Sequence, residues 1–141
     1  MIILDTNVIS ALMRSIPDTQ VVSWLNRLPP ESLWTTSICV FEIVFGIQSL
    51  TVGKRRAFLQ IAFENLLQED LEGRVLEFDA PAAHAAASLS AELRAKGRPV
   101  EIRDVFIAGI VTARRGTLAT RNIKHFLDTK IPLVDPWSDP V

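Results

Sequence analysis

The chain reads as an α/β protein: a mostly parallel sheet flanked by helices. Three observations predict it. Short apolar runs bounded by polar residues recur as strands, longer stretches between them carry apolar residues at helical spacing, and capping residues stand at the junctions. Strands that alternate with helices favour parallel pairing, because a parallel neighbour is reached only by a crossover.

Ile2-Ile3-Leu4 is a buried-strand run that stops at Asp5. Asp5-Thr6-Asn7 then offers capping oxygens to a helix through Val8, Ile9, Leu12 and Met13. Asp18 or Thr19 caps a second helix, whose Val21, Val22, Trp24, Leu25 and Leu28 recur at helical spacing until Pro29-Pro30. Leu33-Trp34-Thr35-Thr36 reads as a strand, and Ser37 as the cap of a helix to about Gln48. Gly53 to Asp70 reads as one longer helix with Phe58, Leu59, Ile61, Ala62, Leu66 and Leu67 on its apolar side. Arg74 to Phe78 alternates as a strand does. Asp79 followed by Pro81 marks a helix start, and Gly97, after Lys96, can take its left-handed end. Asp104 opens the next helix and Gly116 closes it. Thr117-Leu118-Ala119 and Leu133-Val134 complete the strands.

The 141 residues suffice for a single domain, 1–141. With 48% hydrophobic and 22% charged residues the composition is that of a folded globule, not a disordered chain. Fifteen Lys plus Arg against sixteen Asp plus Glu leave a net charge of −1. That excludes a polycation that coats nucleic acid by charge alone, though not a local basic rim. The single cysteine, Cys39, excludes an internal disulfide and a Cys-based zinc site. In Ile38-Cys39-Val40-Phe41 it reads as a buried thiol. Met1 to Leu4 is too short for a signal peptide, and the apolar run Ile38 to Ile47 is interrupted by Glu42 and too short to span a membrane. A soluble, cytoplasmic protein is expected, with no membrane partner. His84 reads as a surface or packing residue; His125 falls near the edge where Asn122 stands and could contact substrate, with a plain surface role as its ordinary reading. No Gly-rich phosphate loop, Gly-x-Ser-x-Gly elbow or His-Glu-x-x-His is present.

The carboxylates carry the functional information. Asp5 falls at the carboxyl end of the first strand and Asn122 just past that of Thr117–Ala119, the edge where open α/β sheets bind ligands. Glu42 stands among Val40, Phe41, Ile43, Val44 and Phe45, where a lone charge is costly to bury. Asp104 stands at the start of an apolar helix. Each has an ordinary explanation: Asp5 as a helix cap, Asp104 as a first-turn acid favoured by the helix dipole, Glu42 as the partner of an arginine such as Arg103. Convergence would change their meaning. Two carboxylates about 4 Å apart repel by roughly 4 kcal/mol at an effective dielectric of 20. Three such pairs approach the whole stability of a domain, about 5–15 kcal/mol. Such a cluster must protonate, spread, or hold a cation, and an all-oxygen donor set favours Mg²⁺ or Mn²⁺.

Leu4-Asp5-Thr6-Asn7-Val8-Ile9-Ser10, Phe41-Glu42-Ile43, Arg103-Asp104-Val105-Phe106-Ile107-Ala108, Ala119-Thr120-Arg121-Asn122 and the closing Asp135-Pro136-Trp137 follow one another at characteristic spacing. Together they resemble the PIN-domain ribonucleases, and within them the VapC toxins of bacterial toxin–antitoxin pairs, in particular the FitB-like subgroup. The resemblance implies a PIN-like α/β/α sandwich and a Mg²⁺- or Mn²⁺-dependent endoribonuclease, with Asp5, Glu42 and Asp104 as metal-site and catalytic residues. Thr6, Asn7, Thr120 and Asn122 would support them. The family often has a fourth acid where this chain has Asn122; Glu101 could supply the missing charge if it turned inward. RNA would be held by basic residues around the acids, Arg98, Arg103, Arg121 and Lys124 foremost, with Arg94, Lys96, Arg114 and Arg115 nearby. The resemblance also implies an inhibitory, DNA-binding antitoxin seated on apolar surface from the Trp24 and Phe58 helices, and homodimers are common in the family. Two alternatives stand beside it. A haloacid-dehalogenase-type phosphatase would want a second Asp two residues after Asp5, where Asn7 stands. A catalytically impaired PIN-fold module that binds RNA or protein would follow from Asn122.

Overall fold

The computed structural model describes residues 1–139; the last two positions of the expected domain, Pro140 and Val141, lie outside the described residues. Five strands, β1 (Ile2–Leu4), β2 (Leu33–Thr36), β3 (Val75–Leu76), β4 (Thr117–Ala119) and β5 (Leu133–Val134), form one sheet in the order β3-β2-β1-β4-β5. Every pairing is parallel, with Ile2 opposite both Leu33 and Thr117. The "mostly parallel" expectation therefore becomes fully parallel among the described residues. The helices are α1 (Thr6–Leu12), α2 (Thr19–Asn26), α3 (Ser37–Gln48), α4 (Lys54–Asn65), α5 (Ala80–Ala95), α6 (Ile102–Arg114) and the single turn α7 (Ile123–Phe126). α1 packs on α2 and α3, and α3 on α4; α5 packs on α6, and α6 on α7, while α3 and α6 also touch and so bring Glu42 beside Arg103. Right-handed crossovers out to β3 and back across to β5 place these two groups on opposite faces. The result is the expected α/β/α sandwich. No helix among the described residues is long and apolar enough to cross a membrane.

The strand order reverses between β1 and β4. The chain leaves β1 toward β2 on one side, whereas β4 lies on the other. In open α/β sheets the crevice beyond the carboxyl ends at this reversal is where ligands bind. The core around it is apolar: Ile3, Leu4, Val8 and Ile9 from the first strand and helix join Ile107, Ile110, Val111, Leu118 and Phe126, all essentially fully buried. Each such side chain contributes about 1.5–3 kcal/mol relative to exposure.

Several local expectations shift. Asp18, not Thr19, caps α2, its carboxylate accepting from the Gln20 and Val21 amides at 3.0 and 3.3 Å. Thr36 rather than Ser37 caps α3, accepting from the Cys39 amide at 3.1 Å, while the Ser37 hydroxyl accepts from the Phe78 amide at 3.2 Å. The segment Gly53–Asp70 is not one α-helix: α4 gives way to a π-helical turn over Leu66–Asp70. The Leu71 amide there reaches back five residues to the Leu66 carbonyl, and both leucines turn into the core. β3 is shorter than Arg74–Phe78, because only Val75 and Leu76 find partners on β2. α6 starts at Ile102, with Glu101 at the cap position and Asp104 inside the first turn. Its left-handed end is Arg115 (φ 56°), not Gly116. Gly116 is needed for space: a Cβ there would stand 2.7 Å from Ile3 Cδ1. Trp24 is buried, so α2 offers little of the apolar surface expected of it. Exposed apolar side chains lie instead on α3 (Phe41, Phe45) and α4 (Phe58, Ile61).

Candidate active site

Asp5 leaves the carboxyl end of β1 and caps α1. Its Oδ1 accepts from the Thr6 amide at 2.8 Å, and its Oδ2 accepts from the Thr120 hydroxyl at 2.7 Å. Thr120 stands just beyond β4, so this bond spans the point where strand order reverses. The Thr120 oxygen in turn accepts from the Asn122 amide at 3.0 Å and from Asn7 Nδ2 at 3.4 Å. The other end of the Asn7 amide accepts from the Arg121 backbone at 3.2 Å. Asn7 and Thr120 thus join the start of α1 to the loop after β4, and Asp5 is locked in orientation.

Asp5, Glu42 and Asp104 come together in one cleft of about 340 Å³, with Thr6, Asn7, Ser10, Arg14, Arg103, Arg121, Asn122 and Trp137. Three larger clefts, of about 670 and 570 Å³ bordering α2 and about 360 Å³ along α3, gather no acids from separate elements. The ordinary explanations of the three acids also hold. Asp5 is a cap, Asp104 lies in the first turn of α6, and Glu42 Oε1 lies 3.3 Å from Arg103 Nε. Structural duty and a place in the cleft coexist at all three.

The electrostatics show strain. Burial pushes the Glu42 carboxyl above the usual range; Arg103 pulls it down, and Asp5 and Asp104 raise it further. Asp104 is likewise raised by burial first, lowered by Arg103, and raised by Glu101 and Asp5. His125 Nδ1 lies 3.8 Å from Asp104 Oδ2 and lowers it, so this exposed histidine stands beside the acids, at the edge where its sequence position put it. Beneath them, burial and then the Asp5 charge push the Cys39 thiol up to about 12, so it stays protonated and inert.

Among the described residues, the buried Thr6 Oγ1 and Glu42 Oε1 lack a well-aligned hydrogen bond, although the Thr6 hydroxyl lies near enough to Glu42 to lower its carboxyl; the Arg103 contact is an ion pair without hydrogen-bond alignment. Such oxygens call for a cation or water. The donor set is all oxygen, which suits Mg²⁺ or Mn²⁺. Among the described residues no group of three His, Cys, Asp or Glu side chains is placed to hold a metal ion. Mg²⁺ seldom uses such a group: it keeps several waters and binds through one or two carboxylates. The residues fit an ion held in that open manner.

Thr120 supports Asp5 from beneath the cleft, the place expected of it, whereas Arg98 and Lys124 do not line the cleft. Arg98 pairs with Asp128 at 3.4 Å, Lys96 with Glu92 at 3.0 Å, and Arg114 with Asp79. Glu101 is exposed and 3.9 Å from Arg103. Ser10, Arg14 and Trp137 line the cleft without having been expected there. A polar series at Asn7, Ser10 and Arg14, spaced i, i+3, i+7 along α1 and just past its end, is the signal that would have found the first two.

A fully parallel five-stranded sheet with acids at its point of strand reversal defines a class, and comparison with known proteins gives that class its name. The PIN domain family matches residues 2–131, and the chain belongs to it. Its relatives place it in the VapC branch. It is 36% identical over 137 residues to the VapC ribonuclease Y4jK of Sinorhizobium fredii, covering 97% of this chain and 98% of that one. It is 33% identical to the toxin FitB of Neisseria gonorrhoeae, over 99% of this chain and 100% of that one. Among solved structures, FitAB bound to the IR36 DNA fragment superposes with a TM-score of 0.89 at 32% identity, covering 100% of this chain and 99% of that chain.

Proposed function

We propose that this chain is a single-domain endoribonuclease, the toxin of a toxin–antitoxin pair, that hydrolyses RNA phosphodiester bonds with the help of Mg²⁺ or Mn²⁺. One observation supports this most. Three acids from three separate elements and three arginines line one cleft at the point of strand reversal. The likeness to a protein named a ribonuclease agrees with it.

Asp5 and Asp104 would hold the ion, with Glu42 doing so directly or through water. Bound there, it would polarise the scissile phosphate and acidify a water. The protein's own residues do the rest. Thr6 and Thr120 orient the Asp5 oxygens, and Asn7 keeps Thr120 and the Arg121 backbone in register. Glu42, with its carboxyl raised above the usual range, is suited to take a proton from the attacking water; Asp5 is the other candidate for that role. Arg103 and Arg121 would take phosphate oxygens. Asn122 contributes a neutral amide where a fourth acid would add charge.

The partners follow from the same kinship. FitB is a toxin, and FitAB binds DNA, so an inhibitory, DNA-binding antitoxin is proposed for this chain. The exposed Phe41, Phe45, Phe58 and Ile61 offer it, or a second copy, apolar surface.

Labelled RNA incubated with the purified protein tests the reading. Cleavage is expected with Mg²⁺ or Mn²⁺ and not with EDTA. Asp5→Ala and Asp104→Ala should each lower the rate roughly a hundredfold or more while remaining folded. A protein that binds Mn²⁺ weakly and cuts nothing would instead be the impaired binding module that Asn122 raises.

A further inference from the structure

Of the three arginines that line the cleft, Arg103 is engaged by acids, as are two arginines that lie away from it. Arg103 contacts Glu42 and Glu101, Arg98 contacts Asp128, and Arg114 contacts Asp79. Arg14 and Arg121 form no ion pair among the described residues, and of the two it is Arg121 that stacks on an aromatic ring. Its guanidinium carbon lies 4.7 Å from the centroid of the Trp137 ring, and both residues line the cleft.

Trp137 is held on several sides. Its amide donates to Asp135 Oδ1 at 2.9 Å and its indole Nε1 donates to Asp18 Oδ2 at 3.1 Å. Its carbonyl accepts from Gln20 Nε2. Asp18 is itself fixed as the cap of α2. The ring therefore cannot turn without breaking its bond to the helix start. Arg121 is fixed at its other end, through its backbone bond to Asn7 and so to the network around Asp5.

A guanidinium stacked on an aromatic face keeps its full charge and leaves its edge donors free. Those donors match a phosphate's oxygens. We propose that Trp137 is a positioning residue, which holds the Arg121 guanidinium over the acid-lined cleft to receive a phosphate of the RNA. The proposal rests on the ribonuclease reading above. Because Arg121 covers one face of the ring, Trp137 acts through the arginine rather than as a shelf for a base.

The test uses the full chain and a short fluorescent single-stranded RNA. Binding is measured in Ca²⁺ and steady-state cleavage in Mg²⁺, for the wild type, Arg121→Ala, Trp137→Ala, the double variant, Trp137→Phe and Trp137→Leu. Trp137→Ala should weaken binding about three- to fivefold and raise KM by a similar factor, with little change in kcat. Arg121→Ala should make the slope of log affinity against log salt shallower by about 0.7, and Trp137→Ala should move it in the same direction. The double variant should bind no more weakly than Arg121→Ala alone. Trp137→Phe, which keeps an aromatic face, should behave nearly as the wild type. Trp137→Leu, which fills space without one, should behave as Trp137→Ala; this pair decides the matter if the alanine variant fails to fold. Additive losses in the double variant, equal behaviour of Phe and Leu, or a loss confined to kcat would overturn the proposal while leaving the ribonuclease reading intact. A wild type that neither binds nor cuts RNA would overturn that reading and this proposal together.

Discussion

Burial and the neighbouring charges of Glu101 and Asp5 raise the Asp104 carboxyl, and burial does the same to Glu42. A carboxyl whose pKa is higher in the folded chain takes up protons on folding. Its contribution to stability is present at low pH and is lost as the pH rises from the unfolded value through the folded one. Both acids therefore weaken the metal-free fold above the ordinary carboxylate range, and a divalent cation should restore what is lost. Asp104→Asn removes one of these charges without removing bulk. In EDTA at neutral pH the variant should melt a few degrees above the wild type, and the gap should narrow as the pH is lowered. Mg²⁺ should raise the melting temperature of the wild type and leave the variant nearly unmoved. A variant that melts below the wild type in EDTA would show that Asp104 is held by attraction, not strained by repulsion. In the sequence Asp5, Glu42 and Asp104 each have an ordinary local explanation, and only the PIN resemblance implies that they act as a set. Each fits its local place, but their shared cleft joins residues far apart in the chain.

Two glycines on helices separate backbone cost from packing. Gly109 lies where α6 meets α5, and a Cβ there would stand 2.5 Å from the Ala82 carbonyl oxygen and 2.7 Å from Ala86 Cβ. Gly109→Ala should cost about 1–3 kcal/mol through overpacking, read as a lower denaturant midpoint. Gly46 lies on the exposed side of α3 with nothing within 4 Å of the same position. Gly46→Ala should stabilise by about 0.5–1 kcal/mol. If both variants moved in the same direction, the close α5–α6 contact would be wrong. Elements were legible to the extent that their signals were local. β1, β2, β4 and β5 follow from apolar runs between polar stops, and Asp79 with Pro81 marks the start of α5. Boundaries set by tertiary contact were not. Ser37 gives the cap of α3 to Thr36 because its own hydroxyl is used by Phe78. Gly116 gives the left-handed end of α6 to Arg115 because its missing side chain makes room for Ile3. The single-turn α7 is too short to leave a period in the sequence. Trp137 was legible as part of a motif but not as a wall of the cleft, since only the return of the chain from β5 brings it beside Arg121.

At the scale of the molecule, the net charge of −1 gives no long-range pull on a polyanion. Recognition of RNA must then be local, and the cleft sets three arginines, Arg14, Arg103 and Arg121, against the three carboxylates of Asp5, Glu42 and Asp104. Without a cation that balance is neutral and repels phosphate from its acidic side. With one it turns positive, so RNA affinity should rise when a divalent ion is added even where no cleavage follows. The arginines limit the number of phosphates held at the cleft to two or three. Each contact with a single strand contributes a slope of about −0.7 in log affinity against log salt. A fourfold rise in salt should therefore weaken binding by roughly tenfold, measured by fluorescence anisotropy in Ca²⁺. A flat response would mean that the arginines do not touch phosphate. A fall of a thousandfold would mean that RNA lies along a surface much larger than the cleft, drawing in Lys124 and the exposed basic residues around α7.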